Sequence, residues 1–179
     1  MSKPILQTAA GRFELVPSAR EDLGGLDALL NDPAVAGWLG GVRTRAAIKA
    51  TIEKEVAHWR EHGFGPYVLV SAGTREIVGR GGLRRVEVLG RQEVELFYAV
   101  KPAQWGTGLA SFMVREALDQ GFREHGLASV VAFTIPGNAA SLRVIEKFGF
   151  AREGDFAHAG LPHVLFRLHC GAWHPRKSA

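Results

Sequence analysis

Gln104-Trp105-Gly106-Thr107-Gly108-Leu109-Ala110 lies between a strand-like run, Val94 to Val100, and a strongly helical one, and its reading decides the fold. It is a glycine turn that opens a helix. Gly106 and Gly108 carry no Cβ, so the turn can take positive φ and bring its amide N–H groups close to a ligand. The first turn of the following helix adds unpaired donors and the positive end of the helix dipole. Such a place binds phosphate. A glycine pair alone serves packing as readily as binding, so the neighbouring segments have to decide.

Downstream, Leu109, Phe112, Met113 and Ala117 share one face of a helix running to about His125, with Gly126 as its stop. Ser129 to Ile135 is nearly continuous apolar and β-branched, which predicts a strand buried on both faces. The strand-helix-strand crossover makes it parallel to its predecessor. Asn138 can cap a short helix, Ala139 to Lys147, ended by Gly149, before two last strands at about Ala151 to Ala157 and His163 to His169.

Upstream, Tyr67 to Val70, Ile77 to Val88 and Glu93 to Val100, joined by turns at 72–75 and 89–91, predict an antiparallel meander. Gly79, Gly81 and Gly82 in its middle strand predict a bulge or a close backbone approach. Phe13 to Pro17 reads as a first strand, and Ser18 to Asn31 as a helix that Asp22 or Ser18 can cap. Residues 34–42 read as irregular. Thr44 begins a longer helix, with Ile48, Ile52, Val56 and Trp59 at helical spacing and Gly63 as the stop. The fold class is α+β (mixed α/β): a central, mostly antiparallel sheet with one parallel crossover, flanked by helices. Ligands in such sheets favour the carboxyl ends of strands beside the crossover helix, where the glycine turn lies.

The chain has 179 residues, enough for one well-cored domain; a core of about 11–170 and a disordered tail at 174–179 are expected. No apolar run reaches the roughly eighteen residues of a membrane span. Met1 to Ala10 holds one lysine and no apolar core of a secretory signal, and the single Cys170 has no partner for an intrachain disulfide, so a reducing cytoplasm is expected. The net charge of +4 is dispersed, with Arg84-Arg85 and Arg176-Lys177 the only adjacent basic pairs. That pattern is a solvated basic surface more than a nucleic-acid footprint. His58, His62, His125, His158, His163, His169 and His174 show no metal-ligand spacing with carboxylate or Cys support, so no metal is expected.

Three segments together resemble the GNAT superfamily of acyl-CoA-dependent N-acyltransferases, over nearly the whole chain from Phe13 to about His169. Trp105-Gly106-Thr107-Gly108-Leu109-Ala110 resembles that family's acetyl-CoA pyrophosphate loop, with Trp105 at its Arg/Gln position. Asn138-Ala139-Ala140-Ser141 through Glu146-Lys147-Phe148-Gly149-Phe150 resembles the N-x-x-S…E-K-x-G-F segment of the next helix. Glu95-Leu96-Phe97-Tyr98-Ala99-Val100 resembles the preceding strand. Trp105, Ser141 and Gly149-Phe150 look most like the branch holding the Rim-type ribosomal-protein N-terminal acetyltransferases.

The resemblance implies that amides from Trp105 or Gly106 through Thr107, Gly108, Leu109, Ala110 and Ser111 hold the pyrophosphate of acetyl-CoA. It also implies that the backbone of Tyr98, Ala99 and Val100 pairs with pantetheine as another strand would. Glu95, in an apolar strand, is a candidate general base whose pKa desolvation would raise; the other reading is a polar residue facing solvent or paired with an arginine. Asn138 is a helix cap, and the family's use adds contact with pantetheine or the sulfur. Ser141 resembles a serine that bonds or protonates the departing thiolate, or it is simply a first-turn helix position. Other branches carry a tyrosine acid seven residues after the Asn; here that position is Ile145. Tyr98 is an acid by type, but strand alternation puts it on the face opposite Glu95. Arg143 and Lys147 either reach CoA phosphates or form a solvated helix face.

The implied activity is acetyl-CoA-dependent N-acetylation by direct attack of an amine on the thioester, with strand amides near Phe97 to Ala99 stabilising the oxyanion and no covalent enzyme intermediate; Cys170 matches no motif. The acceptor is a protein or peptide N-terminus, or else a small amine such as a polyamine, amino acid or aminoglycoside. A non-catalytic acyl-CoA-binding module is the rival reading. A homodimer is expected from the resemblance alone.

Overall fold

The computed structural model describes residues 4–8 and 11–174. Eight strands form one sheet: β1 (Ile5–Thr8), β2 (Gly11–Pro17), β3 (Pro66–Ser71), β4 (Ile77–Val88), β5 (Arg91–Val100), β6 (Ser129–Thr134), β7 (Ala151–His158) and β8 (Leu161–His169). Their spatial order is β1-β2-β3-β4-β5-β6-β8-β7, and every neighbouring pair is antiparallel except β5 and β6. The helices are α1 (Leu23–Leu30), α2 (Pro33–Ala36), α3 (Arg45–His62), α4 (Leu109–Asp119) and α5 (Ala139–Lys147).

The helices cover both faces of the sheet. Leu26, Leu29 and Leu30 of α1 and Ile48 and Ile52 of α3 pack on Val68, Val70 and Ile77. On the other face, Val114, Ala117 and Leu118 of α4 and Ile145 of α5 pack on Leu83, Leu96, Val130 and Ala132. Burying a Leu or Val side chain is worth about 1.5–3 kcal/mol, so these two apolar layers hold the sheet between the helices. Within the meander the glycines of β4 are there for close approach: a Cβ on Gly81 would sit 2.8 Å from the Phe97 carbonyl oxygen, and one on Gly82 would sit 2.6 Å from that of Gly65.

The β5–β6 pair decides where the site lies. It is in register at Glu95↔Val131, and beyond that point the strands splay, so the β6-facing edge of β5 from Leu96 to Val100 has no strand partner. An edge of that kind leaves backbone groups open to a ligand.

Several sequence expectations need correction. β1 was not expected; its four residues, Ile-Leu-Gln-Thr, are too few to show a period, and pairing with β2 is what makes them a strand. Asp22 does stand at the N-cap position of α1, but its carboxylate accepts from the Ala19 N–H at 2.7 Å and bonds no amide of the helix. Within 34–42 lies a further helix, α2, whose start the sequence does mark, with Pro33 in its first turn and Asp32 accepting from the Ala34 N–H at 2.9 Å. The helix expected to reach His125 is α-helical only to Asp119 and continues as a π-turn over Gln120–Glu124. Thr44 and Gly63 do bound α3 as expected, with Gly63 left-handed at φ 72°. Apart from His174, the expected disordered tail lies outside the described residues.

Candidate active site

The glycine turn follows β5 after a short 3-10 turn at Pro102–Gln104. Gly106 and Gly108 take φ of 77° and 89°, the left-handed region the sequence reading required. Leu109, Phe112 and Met113 are buried and fix α4 against the sheet. The first helical bond runs from the Phe112 N–H to the Gly108 carbonyl at 3.0 Å, and among the described residues the amides from Gly106 through Ser111 have no acceptor within the protein. They lie at the positive end of α4, where a Cβ on Gly106 or Gly108 would meet nothing within 4 Å. Trp105 differs. Its backbone N–H donates to the Pro102 carbonyl at 3.0 Å and its indole N–H donates to the Val100 carbonyl at 2.8 Å, so both of its donors are spent inside the protein. What it offers a ligand is a half-exposed ring. Lys147 reaches across from α5 to donate to Ser111 Oγ at 2.9 Å, which sets an ammonium beside the turn.

Asn138 caps α5, its side-chain oxygen accepting from the Ser141 N–H at 3.1 Å. Ser141 Oγ lies 3.0 Å from the Tyr98 hydroxyl, which also donates to the Ser141 carbonyl at 3.1 Å. Alternation along β5 separates Tyr98 from Glu95 as expected, and it points Tyr98 at Ser141. Burial pushes the Tyr98 phenol up to about 12, opposed in part by the Ser141 hydrogen bond, so it stays protonated at neutral pH.

The opposite wall of the cleft is charged. Glu95 is buried, and both its oxygens are bound by Arg84, with Nε at 2.6 Å and Nη2 at 3.1 Å. The pairing with an arginine that the sequence allowed for is present. Four residues earlier in β4, Arg80 is buried with Glu55 of α3, which accepts a hydrogen bond from it; the Arg80 Nε and Glu55 Oε2 have no partner among the described residues. Phe97 lies between the two guanidiniums, 4.9 Å from Arg80 and 4.7 Å from Arg84. Arg43, from the segment between α2 and α3, lines the same cleft, as do His158 and His163 of the β7–β8 hairpin. The two imidazoles pack around Phe133, at 4.8 and 5.6 Å between ring centres, and His163 Nδ1 is 3.0 Å from the Leu161 carbonyl.

The model of the acetyltransferase (GNAT) domain matches residues 12–151, which include the splayed strands, the glycine turn and the whole of α5. The chain belongs to the GNAT acetyltransferase family. It is an acetyl-CoA-dependent N-acetyltransferase. An uncharacterised N-acetyltransferase of Schizosaccharomyces pombe is 28% identical over 183 residues, covering 94% of this chain and 96% of the relative. The ribosomal-protein-S5-alanine acetyltransferase of Vibrio fischeri shares the fold with a TM-score of 0.74 at 18% identity, covering 96% of this chain and 100% of the other. An aminoglycoside acetyltransferase solved with coenzyme A shares it with a TM-score of 0.71 at 20% identity, covering 89% and 96%. The GNAT fold is therefore shared by enzymes named for very different acceptors.

The residues singled out from sequence around the glycine turn, Tyr98, Asn138 and Ser141 do come together in one place, but most of the charged wall opposite went unnoticed: Arg43, Arg80, Arg84, Phe97 and the two histidines. A signal was present for two of these. Arg80 and Arg84 are spaced by four in a strand, so they share a face, and Glu95 and Phe97 face them across the hairpin. Among the described residues no group of His, Cys, Asp or Glu could hold a metal ion, and no helix is long and apolar enough to cross a membrane.

Proposed function

We propose that this enzyme acetylates the α-amine of a peptide or protein N-terminus, with acetyl-CoA bound along the β5 edge and its pyrophosphate on the amides from Gly106 to Ser111. The observation that carries the donor half is the row of unpartnered amides at the end of a strand whose neighbour has splayed away. Pantetheine, which carries two amides, pairs with the open edge at Tyr98 to Val100 on the side away from Arg80 and Arg84. Lys147 supplies charge to a CoA phosphate.

The amine nitrogen attacks the thioester carbonyl, the C–N bond forms and the C–S bond breaks, and the proton lost by nitrogen ends on sulfur. Backbone N–H groups near Phe97 to Ala99 stabilise the oxyanion. Ser141 Oγ donates a hydrogen bond to the departing sulfur while accepting one from Tyr98. A free thiol ionises near pH 8.5, so a hydrogen bond is sufficient and full protonation by Ser141 is not needed. Glu95, with Arg84 on both oxygens, positions the acceptor wall. A peptide α-amine has a pKa of about 7.7 and supplies a usable neutral fraction without a strong base, unlike a lysine amine near 10.4. This is why an N-terminus suits the site.

Thiol release from acetyl-CoA, followed against peptides with free N-termini and against lysine, polyamine and aminoglycoside amines, tests the reading. Peptide turnover at least tenfold above the others is expected. Preference for a lysine ε-amine or a polyamine overturns it. With Glu95→Gln, the pH profile from 6 to 9 should keep its shape; loss of the ascending, acid-side limb would restore Glu95 as the base. A single exposed free cysteine, Cys170, fits the cytoplasm as the compartment. The homodimer implied by the family is checked by light scattering.

A further inference from the structure

The acceptor wall has an unbalanced charge. Three guanidiniums, Arg43, Arg80 and Arg84, line this cleft, the last two over the Phe97 ring, and the carboxylates among them are Glu55 and Glu95, so one positive charge is in excess. Glu95 is fully engaged by Arg84. Arg43 has no carboxylate partner among the described residues; its guanidinium donates only to the Leu39 carbonyl, at 3.3 Å. Arg80, 4% exposed, keeps a buried Nε with no acceptor.

Arg43 is also held in place. The Asn31 side chain accepts from the Arg43 N–H at 2.8 Å and donates to the Arg43 carbonyl at 2.9 Å, while its amide nitrogen is anchored on Asp27 at 2.7 Å. Burial, and then the charge of Arg84, make the Arg43 guanidinium less comfortable in its protonated form. A clamped backbone that aims an unpaired cation into a cleft beside a second, partly unsatisfied one is a built place for an anion.

Resting on the reading above, we propose that the accepted amine carries a carboxylate close to it, which binds Arg43 at the Arg80–Phe97–Arg84 wall. The bound carboxylate cancels the excess charge. Until it does, the arginines disfavour a second ammonium in the cleft, so acceptors with several amines are rejected and the reacting amine is held in its neutral form. An acidic first or second side chain of a peptide, or the carboxylate of a free amino acid, supplies that group.

Two readouts on the full-length enzyme separate this proposal from the assignment of activity. The first is kcat/KM, by thiol release, for a tripeptide amide beginning with glutamate, its glutamine and lysine counterparts, and free glutamate. The glutamate peptide should exceed the glutamine peptide at least tenfold, and the lysine peptide should be slowest. Free glutamate outpacing the peptide assigns the carboxylate to a small amino acid. The second is calorimetric binding of the same set to the CoA-bound protein. Arg43→Gln should bring the glutamate-to-glutamine ratio close to one with CoA affinity unchanged, and Arg43→Glu should reverse the order in favour of lysine. A binding preference for glutamate without acetyl transfer sinks the assigned reaction and keeps the anion site. Equal handling of the glutamate and glutamine peptides in both readouts, or a ratio that survives Arg43→Gln, overturns the anion site whatever the reaction.

Discussion

The two walls of the cleft are made in different ways. The wall proposed for the donor is mostly backbone: amides of a turn and helix start and a strand edge, with a Tyr98–Ser141 side-chain contact, within residues 95–141. The acceptor wall is side chains from α3, the α2–α3 segment, β4, β5 and the β7–β8 hairpin, locked by ion pairs that span 25 positions in one case. A backbone site is independent of side-chain identity except at the glycines, so one loop serves every member that uses the same donor. A side-chain site can be rewritten one residue at a time, which suits a fold whose members are named for ribosomal-protein and aminoglycoside acceptors alike.

The contrast can be broken most sharply at Glu55. Glu55→Leu leaves the Arg80 charge buried and unpaired, and should cost about 3–5 kcal/mol in urea unfolding. Adding Arg80→Met should restore most of that loss. If Glu55→Leu costs under about 1 kcal/mol, the acceptor wall is not held by its ion pairs and the comparison fails.

On the donor wall the next effect is alkaline. Tyr98 has its phenol raised from 10.0 to about 12. The folded state holds that proton more tightly than the unfolded chain, so its contribution is complete below pH 10 and is lost as pH rises through 12. Over that window the loss is roughly 2–3 kcal/mol at most. Tyr98→Phe should flatten the slope of stability against pH between 10 and 12; an unchanged slope would mean the phenol is not buried against Ser141. Tyr67, also raised to about 12, keeps part of the slope in either protein.

Gly108→Val tests the backbone site itself. At φ 89° a β-branched residue costs about 1–3 kcal/mol of strain, and the turn relaxes away from the ligand, so CoA affinity by calorimetry should fall between about fivefold and 150-fold. Acceptor preference should not change. Smallest is Ser141→Ala, expected to lower kcat about three- to tenfold with KM for acetyl-CoA nearly constant, since one hydrogen bond of about 1 kcal/mol is removed from the leaving sulfur.

How much of this was legible in the chain follows from the same contrast. Gly106-x-Gly108 before Leu109, Phe112 and Met113 states a turn, a helix start and a buried face within eight residues, and the structure has all three. Asn138 was legible as a cap for the same local reason. Glu95 was legible only as a charge in an apolar strand; its partner Arg84 is eleven residues away across a hairpin, and sequence could not choose between a free carboxylate and a pair. Trp105 was read as part of the anion loop, whereas its indole bonds back to the end of β5, a contact that depends on how the chain leaves the strand.

Sequence by itself determined the mixed sheet, its single parallel crossover and the left-handed glycine turn that opens α4, because periodicity, glycine φ freedom and helix capping act over a few neighbouring residues. Only the tertiary structure decided that β8 inserts between β6 and β7, that β5 and β6 part after Glu95, and that Arg80 and Arg84 flank Phe97 in a cleft that Arg43 also lines. Those outcomes depend on desolvation and charge pairing between segments far apart in the chain, energies that do not exist until the sheet has brought the segments together.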